Sequence, residues 1–489
     1  MATSTLEPLT VTLRRVFASP RAPLLALAVI SALSLGARAY KLSEPCSVPC
    51  RSADDHTLIF DEAYYVNAAR VIAGIHPPSG SHYAQSPLGS DPNAEHPQGA
   101  KLIIAGAIEL FGDGPFAWRI GSLLFGTLAI LAMYYLVRCA GGDRWPAVGA
   151  AALMACDNLM LVHGRIGTLD VYALAPMIFG VALYLRGRWL AAAVVLALAD
   201  CMKEVSPYAL IVLAVLEVAR VLIALRDPRA PAAWHWRPAL GRWFGCALLS
   251  IGLFLGGLGL MGLIAHPYAD AEGRFITGGP VDELRHIVVY AAQLTGKPSG
   301  IASYPWQWLL DIKPIVYLRV APPLPGQTAG ILPVVSFIGE MSPPIMLLAV
   351  PSVVFFAVRL VIARPALGAA AARDGVGARD DGGPGSPDGG GFASPERAAR
   401  TLGDVQMSLL GVAWFVATWV PYELQQALDR RISYTYYMIV VMPGIYVAAI
   451  HLVTLGWRRR RRWLRGLIVA WALLVLAAVI VMYPFLAVF

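Results

Sequence analysis

Apolar residues fall along this chain in long runs broken by short polar punctuation, a pattern made by neither a soluble amphipathic helix nor an alternating strand. Runs near 22–40, 117–138, 145–162, 168–186, 188–202, 204–225, 243–265, 341–363, 404–422, 433–454 and 465–486 approach the ~17–25 residues a helix needs to cross hydrocarbon. They predict an all-α polytopic membrane protein with about eleven transmembrane helices. Composition agrees. Of 489 residues, 57% are hydrophobic and only 14% charged, with a mean hydropathy of +0.60; soluble domains carry ~25% charge. The first run ends in "GARAYKLSEPC", without a signal-peptide cleavage pattern, so it is expected to stay as an anchor.

Polar residues between the runs set the topology, because Lys and Arg favour cytoplasmic loops. Arg14, Arg15 and Arg21 precede the first run, Arg138 and Arg144 flank a turn, Arg186 and Arg188 flank another, and "WRRRRRW" spans 457–463. With the N-terminus cytoplasmic, every such cluster falls inside, as does the Gly/Pro-rich stretch 364–403, which reads as a disordered linker. The net charge of +8 is accounted for by this bias, with some attraction to anionic lipid headgroups, and does not point to nucleic acid. Residues 1–363 form one membrane module with outer loops 41–116 and 266–340, and 404–489 supply the closing transmembrane helices. The expected location is the plasma (inner) membrane, with the outer loops extracytoplasmic.

Chemistry concentrates in those outer segments. "TLIFDEAYYVNAARVI" at 57–72 carries the adjacent carboxylates Asp61 and Glu62. "PCSVPC" carries Cys46 and Cys50, which can close a small disulfide loop in an oxidising compartment. Their spacing would also suit a metal, but no second Cys or His pair follows, and His56, His76 and His82 lack metal-ligand spacing.

Cations gather on the same face against the positive-inside trend: Arg119 in "GPFAWRIGSLLFG", Arg165 with Asp170 in "VHGRIGTLDVYAL", Lys203 with Glu204 in "DCMKEVSPYAL", and His96 with Lys101 in "EHPQGAK". Charges at membrane depth are costly and mark substrate paths, although Arg165–Asp170 and Lys203–Glu204 could simply neutralise each other. Outward cations beside an acid suit a lipid-linked phosphosugar. Arg and Lys would bind its phosphate, and a carboxylate would take the proton of an attacking hydroxyl. Glu423, Arg430 and Arg431 read as a solvated loop, Tyr64 and Tyr65 as loop packing, and Trp306 and Trp308 as interface residues or sugar-stacking rings.

Five segments in order resemble the protein O-mannosyltransferases, membrane C-type glycosyltransferases that use polyprenyl-phosphate mannose. They are "FDEAYYV", "HPQGAK", "FAWRIGSLLFGTL", "DNLMLVHGRIGTLD" and "SYPWQWLLDIKPIVY", spanning about residues 57–320. The resemblance implies that Asp61 acts as general base on a Ser or Thr hydroxyl of an exported, translocon-emerging polypeptide, with Glu62 helping to hold it. Arg119, Arg165 and Lys203 would bind the donor phosphate, with His96, Lys101, Asp170 and Trp306 supporting the site. The product would be an α-mannoside formed by inversion, with no metal or other cofactor.

The match has departures. Gln98, Gly99 and Ala100 replace the usual middle of the His-Pro…Lys motif, and no histidine precedes "SYPW". The second outer loop is too short for the β-trefoil of eukaryotic members, which indicates a bacterial-type enzyme. An acceptor on a lipid or cell-wall glycan is the alternative. A lipid-linked sugar transporter is a third reading, disfavoured by the lack of internal repeats and paired broken helices.

Overall fold

The computed structural model describes residues 19–227, 230–322, 330–362 and 395–486. Each of the eleven apolar runs contains helix. Eight helices among the described residues are long and apolar enough to cross a membrane, while Asp170–Leu185 and Trp189–Met202 are apolar but shorter. The chain is an integral membrane protein.

Helix α1 (Ala22–Ala39) leads into the first outer segment, which holds α2 (Glu62–Ile72) and α3 (Gly99–Phe111). Helix α4 (Pro115–Cys139) then crosses back, opened by Pro115 just inside its first turn, where a missing N–H costs nothing. The expected single span at 145–162 is instead two helices, α5 (Arg144–Cys156) and α6 (Asn158–His163). Asp157 makes the break: its backbone is extended and its side chain caps α6 by accepting from the Leu159 amide, a role Asp fills at helix starts and not inside them. Next come α7 (Asp170–Leu185), α8 (Trp189–Met202), α9 (Tyr208–Arg226) and α10 (Trp236–Ile264). Helices α4 and α7 approach closely at Gly121, where a Cβ would stand 2.2 Å from the Tyr172 hydroxyl.

The second outer segment contributes α11 (Gly279–Gln293) and α12 (Pro305–Leu309). The run at 341–363 is also split, into α13 (Pro343–Met346) and α14 (Ala349–Ile362). Helices α15 (Pro395–Asp429), α16 (Met438–Arg458) and α17 (Arg462–Val481) close the bundle. Most of the expected 364–403 linker lies outside the described residues, but its last part is corrected: helix begins at Pro395. "PERAARTLGDV" offers a proline start, an early acid and strong helix formers.

The two outer segments are tied to each other. β1 (Cys46–Ser47) pairs antiparallel with β6 (Ile331–Leu332), and β2 (Ser90–Asp91) lies parallel to β3 (His266–Ala269), which turns back as β4 (Arg274–Phe275). A bulged hairpin of β5 (Ile315–Val320) and β7 (Val335–Gly339) docks on α6, where Asn158 donates to the Ile338 and Glu340 carbonyls. The basic clusters gather at the other end of the bundle, where Arg144 donates to the Pro20 carbonyl and Arg458 pairs with Asp143 and Asp404. One end thus carries the loops and the other the arginines.

Candidate active site

At the loop end, "FDEAYYV" opens α2. Phe60 sits at φ 55°, in the left-handed region, stacked on Tyr317 at 4.0 Å and edge-on to Tyr436 at 5.4 Å. A non-glycine held there costs about 1–3 kcal/mol, and ring packing fixes it. The turn puts Asp61 and Glu62 in opposite surroundings. Asp61 is partly exposed, and among the described residues no hydrogen bond or ion pair reaches its carboxylate. Partial burial pushes it up to about 6, with Lys203 and His96 pulling down and Asp170 pushing up. These three groups therefore share one site with Asp61.

Each member of that set is held by a partner. His96 Nδ1 meets Glu204 at 2.6 Å, which leaves Nε2 to accept from the Tyr65 hydroxyl at 3.3 Å. Lys203 donates to Asp170 at 2.7 Å and lies 5.6 Å from the Tyr436 ring. Burial works against the Lys203 charge, but Asp170 and Glu204 more than offset it and hold the ammonium above the ordinary lysine range. His163 bridges Asp170, at 3.5 Å, to the Tyr317 hydroxyl, at 2.7 Å. The neutralising pairs suggested by adjacency are thus exchanged: Lys203 takes Asp170, Glu204 takes His96, and Arg165 takes no carboxylate. Helices α7 and α8 bring these residues together across a gap that sequence distance does not show.

Glu62 is fully buried, and it accepts four hydrogen bonds: from the Ile59 and Gly167 amides and from Arg119 Nε and Nη2, the last two at 2.8 Å each. Gly167 is required at that contact, since a Cβ would meet the Trp118 carbonyl at 2.9 Å. The remaining Arg119 donors go to the Leu42, Glu44 and Thr57 carbonyls. This corrects two expectations. Arg119 has no donor left for phosphate and Glu62 no lone pair directed at an acceptor, because they satisfy each other and the loop backbone.

Lys101 is likewise fully buried, on Asp91 and the Asn93 and His96 carbonyls, so it pins the loop that presents His96. Arg165 is sealed between the Phe337 and Phe485 rings, at 5.2 and 4.5 Å, and donates to the Lys41 carbonyl. It supports the loop bottom and does not open onto solvent. Trp306 is half exposed, whereas Trp308 is buried against Tyr422 and Tyr437 and donates to Ser303; Trp308 is core, not interface. Cys46 and Cys50 are joined as a disulfide, so neither offers a thiolate to a metal.

Beside this cluster opens a cavity of about 820 Å³, within the ~300–1,000 Å³ of ligand pockets. Its lining combines polar groups, among them Asp200, Glu204 and Tyr437, with the apolar Ile211, Phe254, Leu284 and Val288. Arg431 also lines it, correcting the solvated-loop expectation for that residue. Tyr317, Tyr436, Tyr437 and His163 were not singled out from the sequence. The aromatic run "SYTYYM" at the start of a span was the available signal for two of them.

The described residues form a mostly helical membrane bundle with a carboxylate–cation site at its loop end. The S. cerevisiae protein O-mannosyltransferase Pmt1–Pmt2 complex bound to the sugar donor shares this fold, with a TM-score of 0.63 at 11% identity over 95% of this chain and 90% of that one. In sequence, residues 95–233 match the dolichyl-phosphate-mannose-protein mannosyltransferase family. A polyprenol-phosphate-mannose–protein mannosyltransferase of Corynebacterium glutamicum is 34% identical over 118 residues, 24% of this chain and 22% of that protein. Protein O-mannosyltransferase 1 of Drosophila pseudoobscura pseudoobscura is 27% identical over 253 residues, 46% of this chain and 25% of that protein. The matched region spans about a quarter of the length of these relatives. Over residues 95–233 the chain is thus similar to the protein mannosyltransferases.

Proposed function

We propose that this protein transfers mannose, with inversion, from polyprenyl-phosphate mannose to Ser or Thr hydroxyls of exported polypeptides. The observation that carries the proposal is Asp61: a partly exposed carboxylate, free of hydrogen bonds among the described residues, beside a buried Lys203 whose sequence neighbour Glu204 lines a lipid-sized cavity. Asp61 takes the acceptor hydroxyl proton as the oxygen attacks C1 of the sugar. The C1–O bond to phosphate breaks with its electron pair on the leaving phosphate. Lys203 stabilises that growing charge, and Asp170 and His163 orient Lys203. His96, held by Glu204 and Lys101, shapes the acceptor side. No metal takes part in this mechanism.

The site would face the extracytoplasmic side of the plasma membrane, with the N-terminus cytoplasmic, since the arginine clusters gather at the end remote from Asp61. The same donor chemistry would serve a lipid or cell-wall glycan acceptor, and one experiment separates the two. Membranes containing the protein receive radiolabelled polyprenyl-phosphate mannose with secreted peptides or with cell-wall glycolipids. Label on peptide, lost with Asp61→Asn, is the expected result. Label only on glycolipid replaces the acceptor, and transfer to neither overturns the enzyme reading in favour of transport.

A further inference from the structure

We infer that Arg431 is a second ligand for the phosphate of a prenyl-phosphate lipid, seated in the 820 Å³ cavity; this rests on the donor proposed above. Arg431 follows α15, and its backbone is fixed, with its amide donating to the Gln425 carbonyl and a bridge to Thr295 at the end of α11. Its side chain lines the cavity, and its Nε is enclosed without a hydrogen-bond partner. Among the described residues no carboxylate lies within ion-pair distance of its guanidinium. An enclosed, unpartnered guanidinium N–H is costly, and a phosphate satisfies it with charge-assisted bonds.

The surroundings select an amphiphile over a free anion. The same cavity wall includes the apolar Ile211, Phe254, Leu284 and Val288. Three acids also line the cavity, and none of them forms an ion pair with Arg431; Asp200 accepts from the Ser250 hydroxyl. Glu204 is engaged by His96, and Asp429 is exposed and makes no ion pair among the described residues. Tyr437 and Arg431 both line the cavity, and Lys203 lies over the ring of the adjacent Tyr436. A phosphate beside Tyr437 would meet Arg431, which leaves the apolar wall for the tail.

The test uses the full-length protein in detergent micelles and measures Kd for undecaprenyl phosphate, undecaprenol and phosphatidylglycerol. Arg431→Gln is expected to weaken undecaprenyl phosphate at least tenfold and leave undecaprenol unchanged, with Arg431→Lys in between. Phosphatidylglycerol, a phosphate with a different tail, should bind weakly to wild type; tight binding would replace the prenyl lipid with a general phospholipid and overturn the assignment. Equal undecaprenyl phosphate affinity in wild type and Arg431→Gln overturns the role of Arg431 while leaving the enzyme proposal standing. No binding of undecaprenyl phosphate by wild type overturns both. If Arg431→Gln and Arg431→Met also lose undecaprenol, Arg431 shapes the cavity and is not a phosphate ligand.

Discussion

Asp61 and Glu62 are one residue apart and chemically alike, yet they belong to two different regions. Around Glu62 every polar atom is matched: four donors on its carboxylate, five acceptors for Arg119, and nothing exposed. Around Asp61 the carboxylate is unbonded, and the neighbouring charges are held by third parties: Lys203 by Asp170, and His96 by Glu204. A saturated network fixes backbone; an unsaturated one has capacity left for a ligand. The closed region sets the loop, and the loop aims the open one.

The sharpest way to break this contrast is Asp61→Asn. Turnover should fall by roughly 10²–10⁴, with lipid binding retained. Stability should not fall with it. A carboxylate whose folded pKa is raised to about 6 binds its proton more tightly folded than unfolded, so it opposes folding as pH rises through roughly 4 to 6. Asn removes that penalty, so melting at pH 7 should be unchanged or slightly higher. A melting point that drops along with activity would place Asp61 in the closed region.

Arg119→Ala should do the reverse. Removing one partner of a fully buried ion pair leaves Glu62 charged and unmatched, at a cost of about 3–5 kcal/mol. Chemical unfolding in detergent should show that loss, and Arg119→Lys should recover little of it because ammonium cannot reproduce the two-bond fork. Intact folding with turnover lost would return Arg119 to the substrate.

A smaller effect follows from pH. Asp61 must be ionised to accept a proton, so kcat/KM should be flat near pH 7 and fall about tenfold per unit below about 6. A limb near the ordinary carboxylate value of ~4 would mean that Asp61 is better hydrated during turnover than its partly buried setting implies.

Much of the fold was legible because a helix that crosses a bilayer must be long and apolar. The breaks were legible only locally. Asp157 stops a helix by capping the next one, a competition that hydropathy alone does not register. At the site, the residues were visible as charges that should not be there, but their partners were not. Lys203 pairs with Asp170, 33 residues away, and His96 with Glu204, 108 away. Which cation is saturated and which is available depends on such long-range pairings. Arg119 read as a phosphate ligand and Arg431 as a solvated loop, yet Glu62 and three carbonyls occupy the first, while among the described residues no ion pair engages the second.

The smallest effect tests how far the closed region extends. Cys46 and Cys50 close a loop of only about five residues, for which chain entropy gives about 2 kcal/mol at most. Cys46 is buried and pairs with Leu332 in β1–β6, so the loop that the disulfide closes is also held against the second outer segment by strand pairing. Yet the chain on either side is already held by Arg119, at Leu42 and Glu44 before it and Thr57 after it. The disulfide and the arginine thus restrain the same stretch, and losing the weaker restraint should leave Asp61 in place. Cys46→Ser with Cys50→Ser should lower the melting point by a few degrees and change turnover less than about twofold. Turnover that collapses while the protein stays folded would show that the disulfide, and not Arg119, sets the approach to Asp61. The boundary between the two regions would then lie ahead of residue 50.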